Sequence, residues 1–162
     1  MPTRKDIALE SERLKKRDAV FPGLPAYEHP RKGWFKGPRS LPLLLTLLAS
    51  KKVSGKSDPS RVYLELLSNH RDSGFIEILS EADHAFAAGY ASNRAVRTWR
   101  ERMKLLEKLG LIKTDGDETQ RIKFVLLRPV DAVVKTLKSQ NKLPIGWLNA
   151  YTTKQIHHKE NM

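Results

Sequence analysis

A basic segment, residues 94–108, contains the side chains of this sequence best suited to recognising a polyanion. Six arginines and lysines against two glutamates give it a net charge of +4. At 100° per residue, Val96, Trp99, Met103 and Leu106 cluster on one side of a helix, so most of the charged residues lie on the other side. Arginine can form two hydrogen bonds with guanine, and threonine can contact a thymine methyl group or a phosphate. The pattern therefore indicates an amphipathic helix whose basic face binds nucleic acid.

Two simpler interpretations compete with this one. The basic face could be a solvated surface with ion pairs inside the helix, for example between Arg97 and Glu101. The +4 excess favours binding, because it leaves most of the basic residues without an acidic neighbour. Trp99 could stack on a base, but its spacing matches the apolar stripe and favours a core position.

The elements that would position the basic helix follow one another from residue 58 onwards. Asp58-Pro59 is typical of a helix start, Ser80 can cap another helix, and the Asp115-Gly116 pair favours a hairpin turn. The predicted order is a helix from residue 58, a strand over 75–79, a helix over 80–88, the basic helix over 93–109, a strand over 111–114, a turn over 115–118 and a strand over 121–127.

The end of the basic helix carries a family resemblance. Leu106-Glu107-Lys108-Leu109-Gly110-Leu111-Ile112 resembles the Leu-Glu-Lys-x-Gly-Leu-Ile ending that is common in winged-helix DNA-binding proteins. Residues 40–128 are similar to the winged-helix part of plasmid replication initiators and small transcriptional regulators. The resemblance implies a mainly α fold with a small β wing, a winged helix-turn-helix, whose recognition helix enters the major groove of duplex DNA.

The expected function is sequence-specific binding of double-stranded DNA, as a transcriptional regulator or as a replication or mobile-element accessory protein. Base contacts would come from the recognition helix, and phosphate contacts from Arg100, Arg102 and the wing strands. The acidic wing tip, Asp115, Asp117 and Glu118, would be repelled by DNA. The alternative is a protein–protein interaction module whose basic face binds an acidic partner or RNA. The residues expected to contact DNA are Asn93, Arg94, Arg97, Thr98, Arg100, Glu101, Arg102, Lys104, Lys113, Arg121 and Lys123.

The composition of the whole chain narrows the classes of function. Its 162 residues carry 30 Lys and Arg against 18 Asp and Glu, a net charge of +12, which favours a polyanionic partner. The absence of cysteine excludes disulfides, zinc ribbons and thiol catalysis. The sequence has no Gly-rich phosphate loop, no nucleophile motif and no metal-ligand spacing, so no enzyme activity, metal, cofactor or small-molecule ligand is expected.

The apolar run over 41–49 is about half of a membrane span, and the charged N-terminus lacks the apolar stretch of a signal peptide. The expected location is the cytoplasm.

The sequence suggests three segments: a basic N-terminal helix and Pro/Gly-rich arm (1–39), a winged-helix domain (40–138) and a C-terminal tail of little regularity (139–162). In the first, a marginal helix over 4–18 precedes an irregular arm over 19–39. This arm either packs on the domain through its aromatic residues or reaches nucleic acid through its basic ones. In the second, residues 51–57 are expected to be a mobile loop. Surplus apolar surface on the predicted helices 41–49 and 129–138 suggests dimerisation through one of them.

Overall fold

The computed structural model describes residues 2–26, 28, 37–70, 73–116 and 119–160, with side chains up to residue 155. This part of the chain is mainly helical, with a small three-stranded antiparallel sheet. The chain divides into two compact units, residues 1–34 and 35–162. The elements are α1 (Arg4–Val20), α2 (Leu41–Ala49), α3 (Lys51–Ser54), α4 (Ser60–Asn69), β1 (Phe75–Glu77), α5 (Glu81–Ala87), α6 (Ala95–Leu109), β2 (Ile112–Thr114), β3 (Phe124–Leu127), α7 (Val130–Ser139) and α8 (Trp147–Glu160).

The first unit contains α1, which is longer than the predicted helix over 4–18. Thr3 and Asp6 form a capping box: the Thr3 Oγ1 accepts a hydrogen bond from the Asp6 amide at 3.2 Å, and the Asp6 carboxylate accepts one from the Thr3 amide at 2.8 Å. None of the α1 residues is buried. Residues 27 and 29–36 of the predicted arm, which include Tyr27, Arg31, Lys32, Trp34, Phe35 and Lys36, lie outside the described residues. The choice between packing and nucleic-acid contact therefore remains a prediction.

The core of the second unit is built from the apolar faces of α4 and α6 and the inner face of the sheet. The α4 side chains at Val62 and Leu66 are fully buried. Trp99 on α6 is fully buried too, so the prediction that it lies in the core is confirmed. Ser80 caps α5 by accepting a hydrogen bond from the Asp83 amide at 3.2 Å, as predicted.

The sheet has the strand order β1-β3-β2, and both pairs are antiparallel. Its strands are shorter than the predicted ranges 75–79, 111–114 and 121–127. One reason lies at Asp115, whose Oδ1 accepts hydrogen bonds from the amides of Lys123 and Phe124, each at 2.9 Å. A side chain thereby takes the place of ladder hydrogen bonds where the predicted strand over 121–127 begins.

Two segments that the sequence predicts to be irregular are helical. α3 lies where a mobile loop over 51–57 is expected, and its Val53 and Ser54 are buried. α8 lies in the predicted tail, where Trp147 and Tyr151 are buried and stack with ring centroids 5.1 Å apart. The Trp147 indole Nε1 also donates a hydrogen bond of 2.9 Å to the Leu43 carbonyl of α2. The sequence therefore does not predict the contacts between α8 and the rest of the core.

The apolar faces of α2 and α7 are used inside the chain. On α2 the buried residues are Leu44, Leu47 and Leu48. On α7 they are Val133, Val134 and Leu137. α2 packs on α4 and α8. The surplus apolar surface from which the sequence suggests dimerisation is therefore not exposed on either helix.

Candidate nucleic-acid interface

α6 has one fully buried side, which holds it against the core. Trp99, Met103 and Leu106 are each 0% exposed, and α5 and α4 pack on this helix. Gly110 ends α6 in the left-handed conformation, with φ of 86°. The Leu111 amide then donates to the Leu106 carbonyl at 3.1 Å, and the chain re-enters the core as β2. The buried side thus determines which α6 residues face outwards.

The outward side of α6 is basic. Arg94, Arg97, Lys104 and Lys108 are exposed, and Asn93 is exposed in the turn before the helix. The Arg97 side chain is 78% exposed, and its Nε lies 3.3 Å from the Glu101 Oε1. The simpler interpretation of an intrahelical pair therefore holds for Arg97. Such an exposed pair contributes little, so it does not prevent Arg97 from binding a ligand. Thr98 is half-buried on the same helix.

Arg100 is expected from the sequence to contact the DNA backbone, but the structure places its guanidinium against Glu81. The Nε donates to the Glu81 Oε2 at 2.8 Å, and the second nitrogen to Oε1 at 2.6 Å. The two side chains are 20% and 8% exposed. This bidentate pair joins the first turn of α5 to the middle of α6, and it makes Arg100 a residue that positions α6.

Glu81 also fixes the segment that leads into β3. Its Oε2 accepts a hydrogen bond from the Ile122 amide at 3.4 Å. Burial acts to raise the pKa of Glu81, but the hydrogen bonds from Arg100 and Ile122 more than offset this, so its pKa lies below the ordinary value. The sequence gives Glu81 only a capping role, because its partners lie 19 and 41 residues away along the chain.

Arg102 and Glu101 lie close to each other beside the exposed basic side. The Arg102 side chain is 18% exposed, and one of its terminal nitrogens lies 3.9 Å from the Glu101 carboxylate. Its Nε is buried and has no hydrogen-bond partner in the part of the chain that the structure describes. The structure therefore turns Arg102 largely inwards, away from the position expected of a phosphate contact.

The remaining expected contacts lie on β2 and on the segment that leads into β3. Arg121 and Lys123 are exposed, and Arg121 donates a hydrogen bond of 3.0 Å to the Leu79 carbonyl at the entrance to α5. Lys113 is 73% exposed and lies 3.9 Å from Glu107. Hydrogen bonds from the Phe124 and Lys123 amides lower the pKa of Asp115, so its negative charge stays at the base of the hairpin. The tip residues 117 and 118 are outside the described residues.

Comparison with models of protein families, with curated proteins and with solved structures finds no match. Within residues 2–26, 28, 37–70, 73–116 and 119–155, no group of three or more His, Asp or Glu side chains could hold a metal ion. No described helix is both long and apolar enough to cross a bilayer.

Proposed function

We propose that the second unit is a winged helix-turn-helix that binds double-stranded DNA with α6 in the major groove. The observation that carries the proposal is the division of α6 into two sides. One side is fully buried at Trp99, Met103 and Leu106. The opposite side exposes a row of cations in a chain of net charge +12.

The order and pairing of the elements support this proposal. α4, β1, α5, α6, β2 and β3 follow one another in the sequence, and β3 lies between β1 and β2. A recognition helix followed by a two-stranded wing is the arrangement that the Leu106 to Ile112 resemblance implies. The Glu81–Arg100 pair holds α5 against α6. A recognition helix must be held rigidly in this way if its side chains are to contact DNA bases at fixed positions.

The exposure of each side chain and its position along α6 suggest which residues contact bases and which contact phosphates. Arg94, Arg97 and Thr98 lie in the N-terminal half of α6, the part of a recognition helix that contacts base edges. Lys104 and Lys108 lie further along, and they would bind phosphates together with Arg121 and Lys123 of the wing. A protein of this kind would serve as a transcriptional regulator or as an accessory protein of replication or of a mobile element.

The test starts from a duplex selected from a random library with the full chain. We expect Arg97→Ala to weaken binding of the selected duplex by about 1–3 kcal/mol and to relax the preference at one base pair. Lys135→Ala is the matched control: Lys135 is an exposed cation on α7, and its loss should change neither quantity. Equal losses on selected and random duplexes would make Arg97 a phosphate contact.

A second measurement tests the proposal as a whole. Binding of random duplex should fall steeply with salt, because cations on the protein displace counterions from DNA. If the full chain fails to bind duplex DNA even at low salt, or binds an acidic protein or RNA better than any selected duplex, duplex recognition is not its function.

A further inference from the structure

The outward face of the sheet carries a cluster of exposed apolar side chains. Phe75 of β1 is 51% exposed, Phe124 of β3 is 43% exposed and Leu126 of β3 is 38% exposed. The two phenylalanine rings stack, with centroids 5.7 Å apart and planes 21° apart. Leu79, two residues after the end of β1, is 77% exposed. We call these four residues the sheet patch.

Strand alternation makes the sheet patch unusual. Ile76 and Val125 face the core and are 4% and 1% exposed, so their neighbours Phe75, Phe124 and Leu126 face outwards. The outward residues of a solvated antiparallel sheet are normally polar. If each fully exposed side chain presents about 200 Å², the sheet patch exposes roughly 400 Å² of apolar surface. Patches of this size often mark a binding surface.

The charged residues beside the sheet patch have a definite arrangement. Glu77 of β1 pairs with Phe124, and Lys113 of β2 pairs with Leu126, so both lie on the outward face. β3 runs between them. The face therefore has an acidic residue on one side, an apolar centre, and a basic residue on the other side. An apolar centre with a charged rim is the usual composition of a protein–protein interface.

We propose that this face binds a second copy of the same chain. In a twofold dimer both copies use the same surface for the contact, so this surface must be complementary to itself. A twofold axis that lies in the plane of the interface and passes between Glu77 and Lys113 brings Glu77 of each copy opposite Lys113 of the other. The dimer then contains two such pairs. The two sheet patches then cover each other between these pairs. This inference does not depend on the proposed binding of DNA.

The area sets the strength of the association. The sheet patch supplies about half of the roughly 800 Å² that each partner buries in a standard interface. The dimer is therefore reversible and dissociates on dilution. Two copies bound to neighbouring DNA half-sites would hold the two faces at a high effective concentration and stabilise the contact.

Sedimentation of the full chain over a wide concentration range, without DNA, tests the proposal. We expect a reversible monomer–dimer equilibrium that Phe75→Ser weakens about tenfold or more, since it removes the burial of a large apolar side chain. Phe86→Ser is the matched control, because Phe86 is 72% exposed on α5, outside the sheet patch. A chain that stays monomeric at every concentration, or a dimer that Phe86→Ser weakens and Phe75→Ser does not, overturns the proposal.

Charge reversal tests the pairing itself. Glu77→Lys places like charges opposite each other and should weaken the dimer at low salt. Mixing this variant with Lys113→Glu should give a heterodimer more stable than either variant alone. Lys113→Glu also changes the exposed contact with Glu107, so thermal unfolding of each variant is measured as a folding control. Association that Glu77→Lys leaves unchanged would refute the pairing and the proposed face.

Discussion

Replacing Glu81 with glutamine removes the negative charge that Arg100 and the Ile122 amide share. The glutamine has nearly the same shape and keeps one acceptor oxygen, but its NH₂ group then meets a guanidinium nitrogen that also donates. Arg100, with a side chain only 20% exposed, loses the carboxylate charge of Glu81. The substitution therefore tests whether this pair holds α5, α6 and the segment before β3 together.

The expected cost follows from burial and geometry. Removing one partner of a fully buried ion pair costs about 3–5 kcal/mol, because the remaining charge stays desolvated. Arg100 keeps some access to water and glutamine keeps an acceptor, so we expect a loss of about 2–3 kcal/mol. Glu101→Gln is the control: this carboxylate is 42% exposed, and it lies 3.3 Å from Arg97 and only 3.9 Å from Arg102, so its loss should cost less than about 1 kcal/mol.

Urea unfolding followed by tryptophan fluorescence measures both values, and pH provides an internal check. The folded-state pKa of Glu81 lies below its ordinary value of 4.5, so its stabilising effect is complete above that pH. The effect is lost as pH falls through the folded-state pKa. The difference in unfolding free energy between the wild type and Glu81→Gln should therefore be constant at neutral pH and shrink in acid. A loss no larger than that of Glu101→Gln, or a difference that does not shrink in acid, would refute the reasoning.

Three further substitutions test other parts of the structure. Trp99→Ala should lower stability by about 3–5 kcal/mol, because a fully buried indole is lost; a variant that keeps its melting temperature would contradict this. Trp147→Ala should cost about 3 kcal/mol in urea unfolding, since this residue docks α8, and an unchanged midpoint would make α8 dispensable. Asp115→Ala should speed hydrogen exchange at the Lys123 and Phe124 amides, whereas Asp115→Asn, which keeps an acceptor oxygen, should slow it again; equal exchange in both variants would refute the hairpin role.

The sequence predicts α6 well because its signals are local. The apolar spacing of Trp99, Met103 and Leu106 and the glycine after Leu109 act within one helix, and the structure follows both. Arg100 shows the limit of this reasoning. Its position on the helix suggests a surface contact, but Glu81, 19 residues earlier, turns it into an internal pair. Periodicity within a helix carries no information about a charge on another element.

α8 shows a second limit. Trp147 and Tyr151 are four residues apart, which is a helical spacing, but the rest of that helix has almost no amphipathic pattern. What orders the segment is contact with distant elements: the Leu43 carbonyl of α2 and the Asp131 carboxylate of α7. The outward apolar residues of the sheet could not be predicted either, because short strands give too few alternations to fix a face.

The docking of α8 determines when the second unit can complete its fold. The hydrogen bond between Trp147 and Leu43 joins residues 104 positions apart, so α2 cannot contact α8 until the segment from residue 147 onwards has been synthesised. Contacts of such long range form late and slow the folding of a domain. During synthesis, α2 therefore passes through a period in which α8, one of the helices that pack on it, has not yet left the ribosome. Chains that stop before residue 147 should therefore be captured by chaperones or aggregate through α2, even though α4 to β3 are already complete.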